Sequence, residues 1–101
     1  ISPDIHNLLP KIRAFLSTQP ISKAWLFGSC SRGEESENSD LDLLVSYDTD
    51  KRITLFTVGG IMMKLSELAG RNVDIVDVRG LHSYARESVD HDKILIYERH
   101  A

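Results

Sequence analysis

The sequence predicts an α+β domain, a mixed β-sheet with helices packed against it. Two observations carry this. Short apolar runs at 23–27, 40–47, 72–78 and 94–97 alternate with segments whose apolar residues recur at helical spacing, and strands separated by helices favour a sheet covered by those helices. The first two runs are joined by a polar stretch short enough for them to lie antiparallel, which makes the sheet mixed. With 101 residues, 42% of them hydrophobic and 27% charged, the chain is expected to form a single domain over 1–101 with one modest core.

Residues 3–18 form the first helix, because Ile5, Leu8, Leu9, Ile12, Phe15 and Leu16 keep to one face. Ser2 ahead of Pro3 and Asp4 marks its start and Pro20 ends the segment. Pro10, which lacks an N–H, is expected to kink this helix or delay its start. "KAWLF" is the first strand and "DLDLLVSY" the second, with a polar segment at 28–38 between them and a helical turn expected near 29–32. In the long helix that follows, Leu55, Val58, Met62, Leu65 and Ala69 are expected to face the sheet and Gly70 to stop the helix. The Gly59–Gly60 pair weakens it by about 1 kcal/mol per glycine relative to alanine. Phe56 and Met63 lie on another flank, either under a neighbouring loop or as an exposed apolar contact for a helical partner. "NVDIVDV" is the third strand, 81–91 the next helix and "ILIY" the last strand.

Charge and composition exclude several functions. A net charge of −3 argues against duplex nucleic acid as a main ligand, since neutralising phosphates calls for a basic surface. No apolar run approaches the ~20 residues that span a bilayer, and "ISPDIHNLLPKIR" has no signal-peptide core. One cysteine, Cys30, leaves no intrachain disulfide and fits the reducing cytoplasm. His6, His82, His91 and His100 are scattered without metal-ligand spacing.

The chemistry is carried by "LFGSCSRGEESENSDLDLLV" at 26–45. Acidic residues two apart are cheap: chance gives about two such pairs in a chain of this composition. Glu35/Glu37, Asp48/Asp50 and Asp90/Asp92 lie in polar surroundings and read as solvated. Asp40 and Asp42 alternate with Leu41, Leu43 and Val45, so a strand would bury the apolar set on one face and project both carboxylates from the other. Parallel carboxylates repel unless a positive charge lies between them. A hard divalent cation such as Mg²⁺ supplies that charge, and an edge strand with a wet polar face is the other solution. Upstream, Gly28 lets the backbone approach a ligand at the strand end, Ser29 offers a hydroxyl and Arg32 a cation, all suited to phosphate oxygens. An ordinary turn with a capping serine would read the same way.

Gly28–Ser29, ten intervening residues and then Asp40–Leu41–Asp42 resemble the defining motif of the polymerase-β-like nucleotidyltransferase superfamily, in particular its minimal nucleotidyltransferases. The resemblance runs from about Trp25 to Val78, with an echo in "KILIYE". It implies a third carboxylate on a later strand. "NVDIVDV" offers Asp74 and Asp77, which a regular strand points to opposite faces; the residues alone leave the two nearly tied, and the family pattern favours Asp74. Cys30 and Ser31 stand where the family tolerates variation, so neither is expected to be essential.

The resemblance implies Mg²⁺-dependent transfer of a nucleoside monophosphate from a triphosphate such as ATP to an acceptor hydroxyl. Asp40, Asp42 and Asp74 would hold two metal ions, and Gly28, Ser29 and Arg32 would bind the phosphates. Larger relatives carry an acceptor-binding domain, for which these residues leave no room, so another chain is expected to complete that site. Small members resembling this one are typically antitoxins that adenylylate a tyrosine of a helical HEPN toxin. A non-catalytic antitoxin acting by contact and a small-molecule (antibiotic-type) transferase subunit are the rival readings.

Overall fold

A computed structural model describes residues 3–28, 31, 40–80 and 83–99. In chain order these form α1 (Pro3–Leu16), β1 (Ile21–Phe27), β2 (Leu41–Tyr47), α2 (Leu55–Ala69), β3 (Val73–Asp77), a 3₁₀ turn (Val78–Gly80), α3 (Ser83–Asp92) and β4 (Ile94–Glu98). The sheet order is β3-β2-β1-β4. β1 runs antiparallel to both β2 and β4, and β2 parallel to β3. The α+β class and the mixed sheet are as the sequence predicts. The helical turn expected near 29–32 lies outside the described residues except at Ser31, as does the Ser2 helix start.

One face of the sheet packs against α1 and α2. Ile5, Leu9, Ile12 and Leu16 of α1 are buried against Leu41, Leu43 and Val45 of β2, Ala24 and Leu26 of β1, and Val73 of β3. Each such aliphatic side chain contributes roughly 1.5–3 kcal/mol when fully buried. α1 begins at Pro3 rather than after Pro10, and Pro10 sits on its exposed side. The buried stripe continues on both sides of Pro10, and that packing holds the helix through the missing hydrogen bond.

α2 is framed by its caps. Thr54 and Thr57 form a reciprocal capping box at the N-terminus, and Gly70 closes the C-terminus at φ 66°, a left-handed conformation that glycine adopts without strain. The stripe drawn from Leu55 needs correction: Leu55 is 89% exposed and the side facing the core is Val58, Ile61, Leu65 and Ala69, with Met62 half-buried at its margin. The buried set advances by three and then four residues. Leu55 stands about 80° around the helix from Leu65 and at its first turn. Phe56 and Met63 are 94% and 70% exposed; among the described residues no loop covers them. Among the described residues no helix is long and apolar enough to cross a membrane.

Candidate active site

β1 ends in a turn built for close approach. Gly28 has φ 74°, a backbone state in which a β-carbon is strained. The amide and hydroxyl of Ser31 both donate to the Gly28 carbonyl, at 3.1 and 2.8 Å, and Ser31 is buried. Ser31 therefore fixes the turn, a positional role where the sequence led us to expect none. A hydroxyl residue three positions after a turn glycine was the available signal. Space is as decisive as conformation, because a β-carbon on Gly28 would lie 2.7 Å from Oδ2 of Asp42. The turn and the carboxylate thus share one small volume.

The pairing of strands brings the acids together. Phe27 pairs with Asp42 across β1 and β2, and Asp42 pairs with Asp74 across the parallel β2 and β3. Directly paired residues project from the same face, about 4.8 Å apart between strands, so Asp42 and Asp74 stand side by side. Asp40 lies immediately before β2 and is exposed. Burial, then the negative charge of Asp74, then that of Asp40 raise the Asp42 carboxyl above the usual carboxylate range. All three acids are felt at one point. The predicted projection of Asp42 away from Leu41, Leu43 and Val45 holds, although Leu44 on the Asp42 side is buried too.

Asp77 has a different employment. It pairs with Val45 on the helix-packed side of the sheet. Its Oδ1 accepts the Arg79 backbone N–H at 2.9 Å, and the Arg79 guanidinium lies 3.4 Å from its Oδ2. This carboxylate organises the turn after β3, where its negative charge adds to burial in raising the Tyr47 phenol. Two substitutions separate the pair. Asp74→Asn is expected to lower nucleotidyl transfer by about a hundredfold or more, whereas Asp77→Asn should cost on the order of 1 kcal/mol of stability and little activity. Transfer rates and thermal melts of both variants check this, and the opposite ranking would refute the assignment.

Carboxylate oxygens are the donors that Mg²⁺ prefers, so the residues fit a hard divalent cation. Among the described residues no group of three acids, histidines or cysteines is arranged to hold one ion. Asp42 and Asp74 form the close pair and Asp40 acts on it by charge. Three unneutralised carboxylates repel, and drawing them to a common centre falls to the cation itself. Ser29 and Arg32, the expected phosphate ligands beside Gly28, lie outside the described residues, as does Cys30.

A mixed sheet that sets aspartates of neighbouring strands beside a glycine turn is the arrangement the resemblance to nucleotidyltransferases leads one to expect. Residues 10–101 match the family described as Polymerase beta, Nucleotidyltransferase, and the chain belongs to that family. Two relatives from Methanocaldococcus jannaschii, both named as candidate protein adenylyltransferases, are 33% identical over 95 residues and 31% over 97; each alignment covers 92% of this chain and 95% of the relative. A solved candidate minimal nucleotidyltransferase is 33% identical, with a TM-score of 0.76 over 89% of this chain and 90% of that one. The fold also recurs in a complex of a tri-AMPylated Shewanella oneidensis HEPN toxin with an MNT antitoxin, at 20% identity and a TM-score of 0.70 over 93% of this chain and 72% of that one. A toxin–antitoxin structure with AMP-PNP matches at 23% identity, with a TM-score of 0.67 over 95% and 72% of the two chains.

Proposed function

We propose that this protein transfers AMP from ATP to a tyrosine hydroxyl of a helical HEPN-type toxin, in the cytoplasm, and so acts as its antitoxin. The observation that carries the proposal is the register that sets Asp42 beside Asp74, with Gly28 close enough that a β-carbon would collide with Asp42. An ATP-analogue complex and an AMPylated HEPN toxin among proteins of this fold support the choice of nucleotide and partner.

In this reading Asp40, Asp42 and Asp74 hold two Mg²⁺ ions, which when bound neutralise phosphate charge during an in-line displacement. The Gly28 turn, with Ser29 and Arg32, orients the β- and γ-phosphates. The acceptor oxygen bonds to the α-phosphorus, the bond from that phosphorus to the β-bridging oxygen breaks, and pyrophosphate leaves. Asp74 takes the hydroxyl proton as the oxygen attacks.

Incubation with Mg²⁺, host lysate and ATP labelled at the α- or γ-position tests this. Label from α-ATP alone on one small helical protein, lost when its tyrosines are changed to phenylalanine, is the expected result. Label on a small molecule would mean the antibiotic-type transferase. ATP binding with no label transferred would mean an antitoxin that acts by contact.

A further inference from the structure

α2 carries a second surface that the chemistry above does not use. Outside its core stripe, Leu55, Phe56 and Met63 are exposed, and Gly59, Met62, Met63, Ser66 and Glu67 line an open groove of roughly 590 Å³ that continues to Asn72 and Val73. A helix that is apolar on both sides belongs between two partners. Phe56, Gly60, Met63 and Glu67 fall within about 60° of one another around the helix, directly opposite Leu65. β-Carbons added at Gly59 and Gly60 would meet nothing within 4 Å, so this stretch lets another backbone come close.

The order of these features identifies the occupant. Phe56 lies three residues before Gly59 and Met63 three residues after Gly60. Arg52 lies seven before Gly59 and Glu67 seven after Gly60, and both are exposed. Read outwards from the Gly59–Gly60 peptide, Phe56 meets Met63, and Arg52, two residues before the Thr54 cap, meets Glu67 at the same distance on the other side, while Leu55 and Lys64 flank this line. A two-fold interface needs that palindrome, because residue i must suit residue j and j must suit i.

We propose that the exposed face of α2 packs antiparallel against α2 of a second copy of this chain, across a two-fold axis at the Gly59–Gly60 peptide. Phe56 then lies over Met63 of the partner subunit twice, the four glycines meet at the axis, and Arg52 faces Glu67 of the partner subunit at both ends. Within the chain, Glu67 stands 3.8 Å from Lys64 through Oε2, which leaves Oε1 for the incoming guanidinium. One helix pair buries less than the ~1,600 Å² of a standard interface, so a dimer with a Kd on the order of 1–50 μM is expected. The proposal does not depend on the identity of the acceptor.

Sedimentation velocity from about 1 to 200 μM brackets that affinity. The wild-type chain should shift from monomer to dimer across the range, and Met63→Lys should remain monomeric with an unchanged circular dichroism spectrum. Arg52→Glu and Glu67→Arg should each weaken the dimer about two- to fivefold, the size of a rim ion pair, and the double reversal should recover most of the loss. A wild-type monomer at every concentration would overturn the proposal, including the case in which this face binds only a heterologous helix. So would a dimer indifferent to Met63→Lys. Should Met63→Lys fail to fold, the charge reversals decide alone, and a double variant no tighter than the weaker single one refutes the pairing.

Discussion

Asp42→Asn is expected to abolish transfer and yet to raise the melting temperature. Both effects come from one carboxylate standing beside Asp74, partly buried and within the field of Asp40. Its folded-state pKa is raised, so between the unfolded value near 3.9 and the folded value the native state binds more protons than the unfolded chain. Stability therefore falls as pH rises through that window, and at neutral pH the charged Asp42 is a destabilising group. Asparagine keeps the volume and removes the repulsion. Transfer should fall by at least about a thousandfold, the scale for losing a group that manages transition-state charge. Melts of both proteins between about pH 4 and 8 should diverge as pH rises, with the variant the more stable. Retained activity would dismiss Asp42 from the site, and a lower melting temperature at pH 7 would show that its carboxylate is stabilised by a cation or donor.

Gly28→Ala should nearly match that loss of activity by a different route. The left-handed φ of 74° costs a residue with a β-carbon about 1–2 kcal/mol, roughly a 5–15 °C fall in melting temperature for a domain of this size. The new methyl also claims the space 2.7 Å from Oδ2 of Asp42, so Asp42 has to turn away from its place beside Asp74. Misplacing a reacting group by about 1 Å costs on the order of a hundredfold in rate. Gly28→Asn separates the two causes, because asparagine tolerates the left-handed region but still carries a β-carbon. It should recover part of the stability and none of the activity. Recovery of both would leave backbone strain as the sole reason for the glycine.

The strands and their faces were legible because period-two alternation is a local property. Leu41, Leu43 and Val45 against Asp42 needs only the pleat. The choice between Asp74 and Asp77 was not local: parity separates them, but which one meets Asp42 depends on the register of β3 against β2, a relation between segments some thirty residues apart in sequence. Helix phase failed differently. α2 is apolar nearly all round, so several stripes fit the 3.6-residue period, and the one through Leu55 overlooked Ile61, which is buried. α1, with polar residues on its outer side, offered one stripe only and was read correctly. Ser31 escaped because its contribution is a hydrogen bond to a backbone carbonyl, which any small polar residue in a turn could make or omit.

The junction between α2 and β3 also governs how this chain can change. Val73 is fixed from two directions: its amide donates to Ser66 Oγ at 3.1 Å, and the neighbouring Asn72 carbonyl accepts the Leu41 amide at 2.9 Å. Gly70 sets the point at which the chain leaves the helix. Between that cap and β3 there are only Arg71 and Asn72, a spacer with no slack. Inserting or deleting one residue there would slide β3 by one pleat, turn Asp74 towards the helices and leave Val73 or Ile75 beside Asp42, while the apolar content of the sheet hardly changed. Such a chain could still fold and would have lost its acid pair. Drift in length is thus far more dangerous at these two positions than drift in side-chain identity, and a reading frame for the site is written into this short connection.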